Sequence, residues 1–211
     1  MKTMNLARLM TFLVFGMMQT MIAMAAETKD PQQVIRESTD RVLATIEKQK
    51  ASNGGKVADG MAEELLDVLE PVVDFAAIAR GVMGSHAKLA TPEQTQKFET
   101  VFKDSMAQLY AKSFEALEVE KVTILDPAPD FDPARGRATV QAEATTTDGK
   151  VFSLSYSMRS DAQHGWRVRN IIVDGINLGL TYLNQFDGAM KRYGNDIGKV
   201  ISTWTAEMES K

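Results

Sequence analysis

Apolar residues in the first half of the chain recur at the spacing of an α-helix. The first stripe follows Asp30 and Pro31, a capping carboxylate and a proline suited to the first helical position. One face of this predicted helix carries Val34, Val42 and Ile46. Similar stripes follow, and the longest contains Phe98, Phe102, Met106, Leu109 and Tyr110. The pattern predicts four helices before any strand, at about 31–52, 58–70, 75–83 and from 92 onward.

Residues that start and stop helices support these boundaries. The segment SNGG at 52–55 ends the first helix, and Pro71 ends the second. Asp74 is placed to cap the third helix, which Gly84 closes. The segment TPEQ at 91–94 is a capping box with a proline at the first helical position. Local chemistry and periodicity therefore agree on where the helices lie.

The period of the pattern changes from about 3.6 to about 2 in the second half of the chain. Four strands are predicted, at about 119–125, 137–146, 150–159 and 166–173, with Asp148-Gly149 as the turn of the central hairpin. Asp174-Gly175 is predicted to turn the chain into a helix at about 176–191, with the aspartate as its cap, and a last helix follows from 196. Helices, then an antiparallel sheet, then helices again predict a single α+β domain.

The central hairpin sets large side chains on one strand beside small ones on the other. One face of the later strand carries Phe152, Leu154, Tyr156 and Met158. The matching face of the earlier strand carries Ala138, Val140, Ala142 and Ala144. One interpretation is ordinary packing, in which small residues accept bulk from helices above them. The other is a slot between sheet and helices that a ligand fills. The pattern by itself favours ordinary packing.

The first 25 residues have the features of a cleaved export signal. Lys2 and Arg8 precede an uncharged apolar run, and Ala23-Met24-Ala25 has the small-x-small pattern of a cleavage site. A retained membrane anchor is the alternative, but a glycine and a glutamine interrupt the run. No later stretch has the roughly 18 apolar residues of a membrane span. The sequence therefore predicts a signal peptide at 1–25 and an exported, soluble domain at 26–211.

Charge and cysteine content exclude several classes of function. The net charge is −4, and loss of Lys2 and Arg8 with the signal peptide makes the mature protein more acidic. No basic stripe remains to hold nucleic acid or an anionic membrane. The chain has no cysteine, so disulfides, thiolate nucleophiles and zinc–thiolate sites are excluded. Stability must then come from the hydrophobic core.

Residues with catalytic or metal-binding chemistry are few and isolated. His86 and His164 lie in GSHA and DAQHG without metal-ligand spacing, and we interpret them as surface or turn residues. The sequence contains no nucleophile elbow, P-loop or dinucleotide-binding glycine pattern. Carboxylates such as Glu63-Glu64 and Asp174 could pair for acid–base work, but solvated or turn positions explain them better. The sequence predicts no catalytic residue and no metal.

Motifs in the first half of the chain resemble those of a known family. The segment FAAIARGVMG at 75–84 is followed by TPEQ at 91–94 and by Phe98. This order resembles the FxxIAR-x-V-L-G, TPEQ and F signature of the MlaC-type auxiliary components of phospholipid ABC transporters, also called the toluene-tolerance family. Each motif is weak alone, but their combination in an exported protein without cysteine is fairly specific.

The second half of the chain resembles the tail of the same family. It carries LSYSM at 154–158, DGINL at 174–178 and YLNQF at 182–186 in the family's order and spacing. The resemblance covers nearly all of the mature chain. There are departures: His86 stands where the family often has tryptophan, and Asn177 where it usually has serine. Arg169-Asn170 also replaces a more typical aromatic-Asp pair.

The resemblance implies a fold and a function. The fold would be a cone-shaped, NTF2-like α+β domain with helices packed on a curved four-stranded antiparallel sheet around an internal apolar cavity. The protein would be a periplasmic carrier that encloses phospholipid acyl chains and has no cofactor beyond this cargo. It would act as a monomer between an outer-membrane lipoprotein complex and an inner-membrane MCE-domain ABC transporter, and so maintain outer-membrane lipid asymmetry.

The resemblance also makes the hairpin part of an expected cavity wall. Tyr110 and Tyr156 would supply polar groups near the mouth, and the helix beginning at Ile176 would cover the sheet. The lipid-binding residues predicted on this basis are Phe75, Ile78, Phe102, Met106, Tyr110, Val140, Ala142, Phe152, Leu154, Tyr156, Met158, Val168, Ile172 and Leu180.

Arg167 and Arg169 share the strand face opposite Trp166 and Val168 and admit two interpretations. They are solvated charges that discourage edge pairing, or they dock to an acidic surface of the transporter or lipoprotein partner. The second hypothesis is motivated by two same-face cations in an otherwise acidic protein.

Two other classes of function remain open at the level of sequence. An exported lyase or isomerase on a similar fold would have a carboxylate with a perturbed pKa facing the cavity. A ligand-free adaptor or chaperone would instead have a core filled by its own side chains.

Overall fold

The structure, a computed structural model, describes residues 30–53, 60–127 and 131–209. The predicted signal peptide lies outside these residues. The helices are α1 Pro31–Ser52, α2 Met61–Leu69, α3 Phe75–Met83, α4 Pro92–Leu117, α5 Leu178–Arg192 and α6 Ile197–Glu209. The strands are β1 Val119–Ile124, β2 Arg137–Thr146, β3 Val151–Asp161, β4 Gly165–Val173 and β5 Ile176–Asn177. None of the described helices combines the length and apolar character needed to cross a bilayer.

The strands form one antiparallel sheet in chain order, β1-β2-β3-β4-β5, so the predicted α+β class is confirmed. In the β2–β3 hairpin, Ala144 lies opposite Phe152 and Ala142 opposite Leu154, as the pairing of small with large side chains predicts. Every second residue of β2 is buried. We call this buried side of the sheet the inner face, and α1 packs against it.

Strand β4 contains a bulge that shifts its alternation by one residue. The pair Met158–Val168 is followed along the ladder by the pair Ser157–Asn170, so Arg169 is the extra residue. Residues of β4 after Arg169 therefore lie on the face opposite to the one that strict alternation predicts.

The chain after β4 differs from the prediction of a helix beginning at 176. Asp174 (φ 47°) and Gly175 (φ 80°) form a tight turn into the short strand β5. Asp174 is not the helix cap: its Oδ1 accepts a hydrogen bond from the backbone N–H of Ser153 at 2.7 Å and so ties the turn to β3. Asn177 caps α5 instead, because its Oδ1 accepts from the N–H of Leu180 at 3.0 Å. Asparagine and serine are both good N-caps, which explains why this departure from the family pattern leaves the helix start intact.

The predicted starts of α1, α3 and α4 are confirmed. The start predicted for α2, at about 58, lies outside the described residues, and the described helix begins at Met61. Asp74 Oδ1 accepts from the N–H of Ala77 at 3.1 Å at the start of α3. Thr91 and Gln94 exchange both hydrogen bonds of a capping box at the start of α4. Asp30 caps α1 with a single hydrogen bond, which its Oδ1 accepts from the N–H of Gln32 at 2.8 Å. These ends are set by residues adjacent in the sequence, which is why sequence patterns predict them.

Gly84 closes α3 in a conformation that only glycine adopts readily, with φ 54° and ψ −127°. A Cβ at this position would lie 2.8 Å from Leu183 Cδ1 on α5. We expect Gly84→Ala to lower the free energy of unfolding by about 1–3 kcal/mol, because strained dihedrals and a close contact combine. Gly81→Ala in the same helix is the control, since no atom lies within 4 Å of a Cβ there. Denaturant unfolding should show the control unchanged or stabilised, and equal losses in both variants would contradict the argument.

Buried apolar side chains in the described part of the chain form three separate clusters. The helical cluster joins α3, α4, α5 and α6 around ring contacts among Phe98, Phe186 and Trp204. The sheet cluster lies on the inner face of β2, β3 and β4 with Ile35 of α1. The α1–α2 cluster also includes Ala111 of α4. Side chains at the margins of these clusters are only partly buried, and the candidate site lies there.

Candidate functional site

A group of half-buried side chains lies between the clusters, and we call it the lining. It consists of Met106, Tyr110, Leu154, Tyr156, Ile171 and Val173. The two β3 residues are paired across the sheet with the two β4 residues and border the sheet cluster. The two α4 residues, one helical turn apart, border the helical and α1–α2 clusters. Apart from two phenol groups the lining is apolar, so it can solvate hydrocarbon but offers little for bond-making chemistry.

The two tyrosines of the lining have properties that are rarely combined. Burial raises the pKa of both phenols, and it raises the pKa of Tyr156 to about 12. The neighbouring Tyr156 further raises the pKa of Tyr110, so the two groups lie near each other. Both side chains nevertheless keep some accessible surface. Partly accessible phenols whose pKa is raised by apolar surroundings are what the wall of a narrow apolar recess requires.

Tyr156 should make stability depend on pH in alkaline solution. Below pH 10 the phenol is protonated in both the folded and unfolded states, because its pKa rises from 10.0 to about 12 on folding. Between these values the unfolded state loses the proton first, so the free energy of unfolding should fall by on the order of 2 kcal/mol as pH rises from 10 to 12. Denaturant unfolding of the wild type and of Tyr156→Phe at several pH values tests this. The free energy of unfolding of the wild type, relative to that of Tyr156→Phe, should be constant below pH 10 and fall above it, and parallel curves at all pH values would refute the assignment.

The apolar inner face continues from the lining to the protein surface. The lining residue Val173 pairs with Ile176 of β5, whose side chain is 60% exposed. Leu180, one turn further along the chain, is 54% exposed. Large apolar side chains exposed beside a recess are typical of the opening of a binding site. We therefore place the candidate opening at the β5 end of the sheet.

The structure brings only some of the predicted lipid-binding residues together. Four of them belong to the lining: Met106, Tyr110, Leu154 and Tyr156. Three are half-buried outside it: Phe75, Ile78 and Phe152. Five have almost no accessible surface and lie within or behind the clusters: Phe102, Val140, Ala142, Met158 and Val168. Periodicity could not separate these groups, because wall and core residues occupy the same apolar face of an element.

Two predicted lipid-binding residues lie elsewhere, and two lining residues were missed. Ile172 pairs with Ser155 on the outer face, because the bulge at Arg169 shifts the alternation of β4. Ile171 and Val173 take the inner positions instead. The sequence contained one sign that the alternation of β4 was uncertain here: residues 171–173 are all apolar, and such a run does not specify which face is inner. Leu180 is exposed, so neither it nor Ile176 covers the sheet as predicted.

Arg167 and Arg169 have an intramolecular partner, the carboxylate of Asp74. Arg167 Nη2 donates to Asp74 Oδ2 at 3.0 Å, and Arg169 Nη2 lies 2.8 Å from the same oxygen. The backbone N–H of Asp74 also donates to the carbonyl of Val168 at 3.0 Å. We call these three charged residues the Asp74 cluster, and it fastens the start of α3 to β4. The placement of the arginines therefore does not support their docking to a partner.

The remaining candidate groups for chemistry lie away from the lining. His86 Nε2 is 2.9 Å from Asp187 Oδ1 on α5, so this histidine is half-buried between helices rather than a simple surface residue. His164 pairs with Asp161 in the exposed turn after β3, as predicted. Hydrogen bonds lower the pKa of three carboxyl groups that are all exposed, Glu93, Asp148 and Asp161. Within the described ranges, no three or more metal-ligating side chains are grouped to hold an ion.

Comparison with known proteins agrees with both the motifs and the fold. The family model described as MlaC protein matches residues 36–206. The toluene tolerance protein ttg2D of Pseudomonas putida is 33% identical over 189 residues, which cover 89% of this chain and 85% of that protein. A phospholipid-binding protein from Ralstonia solanacearum, solved in complex with a phospholipid, is 26% identical with a TM-score of 0.72. That match covers 86% of this chain and 100% of the Ralstonia chain. This chain belongs to the MlaC family.

Proposed function

We propose that this chain is a periplasmic phospholipid carrier that holds acyl chains in the recess bordered by the lining. The observation that carries the proposal is the lining itself, which is half-buried between separate clusters and apolar except for two phenols. The Ralstonia protein of the same fold was solved with a phospholipid, which supports the same class of ligand here. The exposed Ile176 beside Val173 supports entry of the ligand at the β5 end of the sheet.

The energetics of lipid transfer explain why such a site needs no reactive group. Burial of one CH₂ group is worth about 0.8 kcal/mol, so two acyl chains with roughly 30 such groups represent on the order of 20–25 kcal/mol. A lipid cannot cross water at that cost. The carrier must offer an environment comparable to a bilayer, because a much better one would never release the lipid and a much worse one would never extract it.

The route of the lipid is a further part of the proposal. Family membership supports transfer between an outer-membrane lipoprotein complex and an inner-membrane MCE-domain ABC transporter, which would maintain outer-membrane lipid asymmetry. The export signal predicted at 1–25 supports a periplasmic location. We propose that the carrier acts as a monomer. A carrier of this kind has no direction of its own, since direction depends on the partners and on ATP.

Native mass spectrometry with organic extraction tests the proposal most directly. The mature protein would be purified from a bacterial periplasm without detergent, and we expect a stoichiometric adduct at the mass of a phospholipid. A bare mass that persists after incubation with phospholipid vesicles would overturn the carrier function and favour a ligand-free adaptor. A small polar molecule in the extract, in place of lipid, would favour the enzyme alternative.

A further inference from the structure

The hydroxyl group of Tyr156 is a hydrogen-bond donor among apolar neighbours on the inner face of the sheet. It makes no hydrogen bond to any of the described residues. Its cross-strand neighbours are Val140 and Ile171, and its same-face neighbours along β3 are Leu154 and Met158. None of these four offers a strong hydrogen-bond acceptor, and the phenol of Tyr110 is a further polar group nearby. The hydroxyl oxygen keeps accessible surface, so water is its hydrogen-bond partner when no ligand fills the recess.

Acyl chains that fill the recess would displace this water, so a ligand that carries an acceptor level with the hydroxyl is favoured over one that leaves the donor unpaired. The phenol stays neutral at every physiological pH, because burial raises the pKa of Tyr156 to about 12. A phospholipid offers two sorts of acceptor, the charged phosphate and the neutral carbonyl oxygens of its acyl esters. Burying the charged phosphate among apolar side chains costs several kcal/mol. The ester carbonyl is the acceptor that can enter.

We propose that Tyr156 donates its hydroxyl hydrogen bond to an acyl-ester carbonyl of the bound lipid and so selects ester-linked lipids over ether-linked ones. This inference rests on the proposed function and specifies the chemistry of its ligand. Tyr156 is then a positioning and specificity residue, since its bond sets how deep the acyl chains enter.

The register of the sheet places the donor at a depth that suits this role. Tyr156 lies opposite Ile171, and Val173 is the next inner-face residue toward the exposed Ile176. Same-face residues on a strand are about 7 Å apart. The hydroxyl group is therefore near the opening rather than at the far end by Met158 and Val168. An ester held there leaves the headgroup outside and directs the acyl chains inward.

Ester and ether lipids distinguish this bond from general apolar binding. We would measure binding of a diacyl phosphatidylcholine and of the dialkyl analogue with the same chains, which lacks both carbonyls. The proteins would be delipidated mature wild type, Tyr156→Phe and Tyr182→Phe. Tyr182 is a matched control, because it is a buried phenol in the helical cluster that contacts Phe102. We expect the wild type and Tyr182→Phe to prefer the ester roughly 2- to 10-fold, and Tyr156→Phe to bind both lipids equally.

The other outcomes separate the role of Tyr156 from the carrier function. A wild type without ester preference, or Tyr156→Phe that keeps the preference, would overturn the role of Tyr156 and leave the carrier function standing. Loss of preference in both variants would assign the effect to general loosening of the fold and overturn the role of Tyr156 as well. Failure of the folded wild type to bind either lipid would overturn the proposed function and this inference with it.

Discussion

Leu154→Asp should abolish phospholipid binding while leaving the protein folded. Leu154 is a lining residue between Ala142 and Val173 on the inner face of the sheet. In the empty recess water can hydrate a carboxylate there, because the side chain keeps accessible surface. Beneath bound acyl chains the same carboxylate loses its water and has no counter-charge, which costs several kcal/mol. Since about 1.4 kcal/mol corresponds to tenfold in affinity, we expect a loss of roughly 100-fold or more.

Val151→Asp is the matched control for this prediction. It introduces the same carboxylate on the same strand, at a side chain that is 55% exposed. Lipid content after purification and the thermal midpoint of each variant would be compared with those of the wild type. Val151→Asp should keep the lipid content and the thermal midpoint of the wild type. Leu154→Asp should lose lipid with only a small change in the thermal midpoint. If lipid content and thermal stability fell together in Leu154→Asp, Leu154 would belong to an ordinary core and the lining would be misassigned.

Asp74→Ala should lower the free energy of unfolding by about 3–5 kcal/mol, the cost of leaving a buried charge without its partner. Asp74 is only 3% exposed, and its carboxylate holds both arginines of the Asp74 cluster and the first turn of α3. Its removal leaves two adjacent cations, of which Arg167 is largely buried with a side chain that is 20% exposed and keeps only the more distant Asp161 Oδ2, at 3.8 Å. Domains of this kind are stable by about 5–15 kcal/mol, so the variant should be close to the limit of folding.

Two further variants distinguish the effect of losing the negative charge of Asp74 from the effect of losing the cap of α3. Asp30→Ala removes a capping aspartate at the start of α1 that forms no ion pair in the described residues, and it should cost about 1 kcal/mol. Asp74→Asn keeps a capping oxygen but removes the negative charge, so its loss should fall between the other two. Denaturant unfolding of the three variants gives the comparison. If Asp74→Ala lowered the free energy of unfolding no more than Asp30→Ala does, the ion pairs between Asp74 and the two arginines would not stabilise the fold.

The Asp74 cluster also explains how the lining is held in place. The backbone of Val72 and Asp74 pairs with Val168 just before the bulge at Arg169. The bulge then turns Ile171 and Val173 toward the inner face. The same short segment therefore anchors α3 and sets which apolar residues of β4 reach the recess. We expect variants of this cluster to alter lipid binding through position rather than through contact with lipid.

Short-range chemistry made the fold class and most element boundaries predictable from the sequence. The capping residues Asp30, Asp74 and Thr91 act on N–H groups two or three residues away, so their effect can be recognised in the sequence. The hairpin at Asp148-Gly149 and the alternation along β2 are local in the same sense. The order of the motifs likewise identified the family. Each motif consists of neighbouring residues, so it can be recognised without the tertiary structure.

The site itself was decided by contacts between distant parts of the chain. Asp74 and Arg167 are 93 positions apart, and nothing near either residue indicates that they pair. The bulge at Arg169 reversed the faces of Ile171 and Ile172, because register depends on the neighbouring strand and not on the run of apolar residues. Leu154 and Ala142 look alike in an apolar pattern, yet one keeps free surface and the other is buried. The sequence by itself determined which residues avoid water, and the tertiary structure alone decided which of them pack against each other and which border the recess.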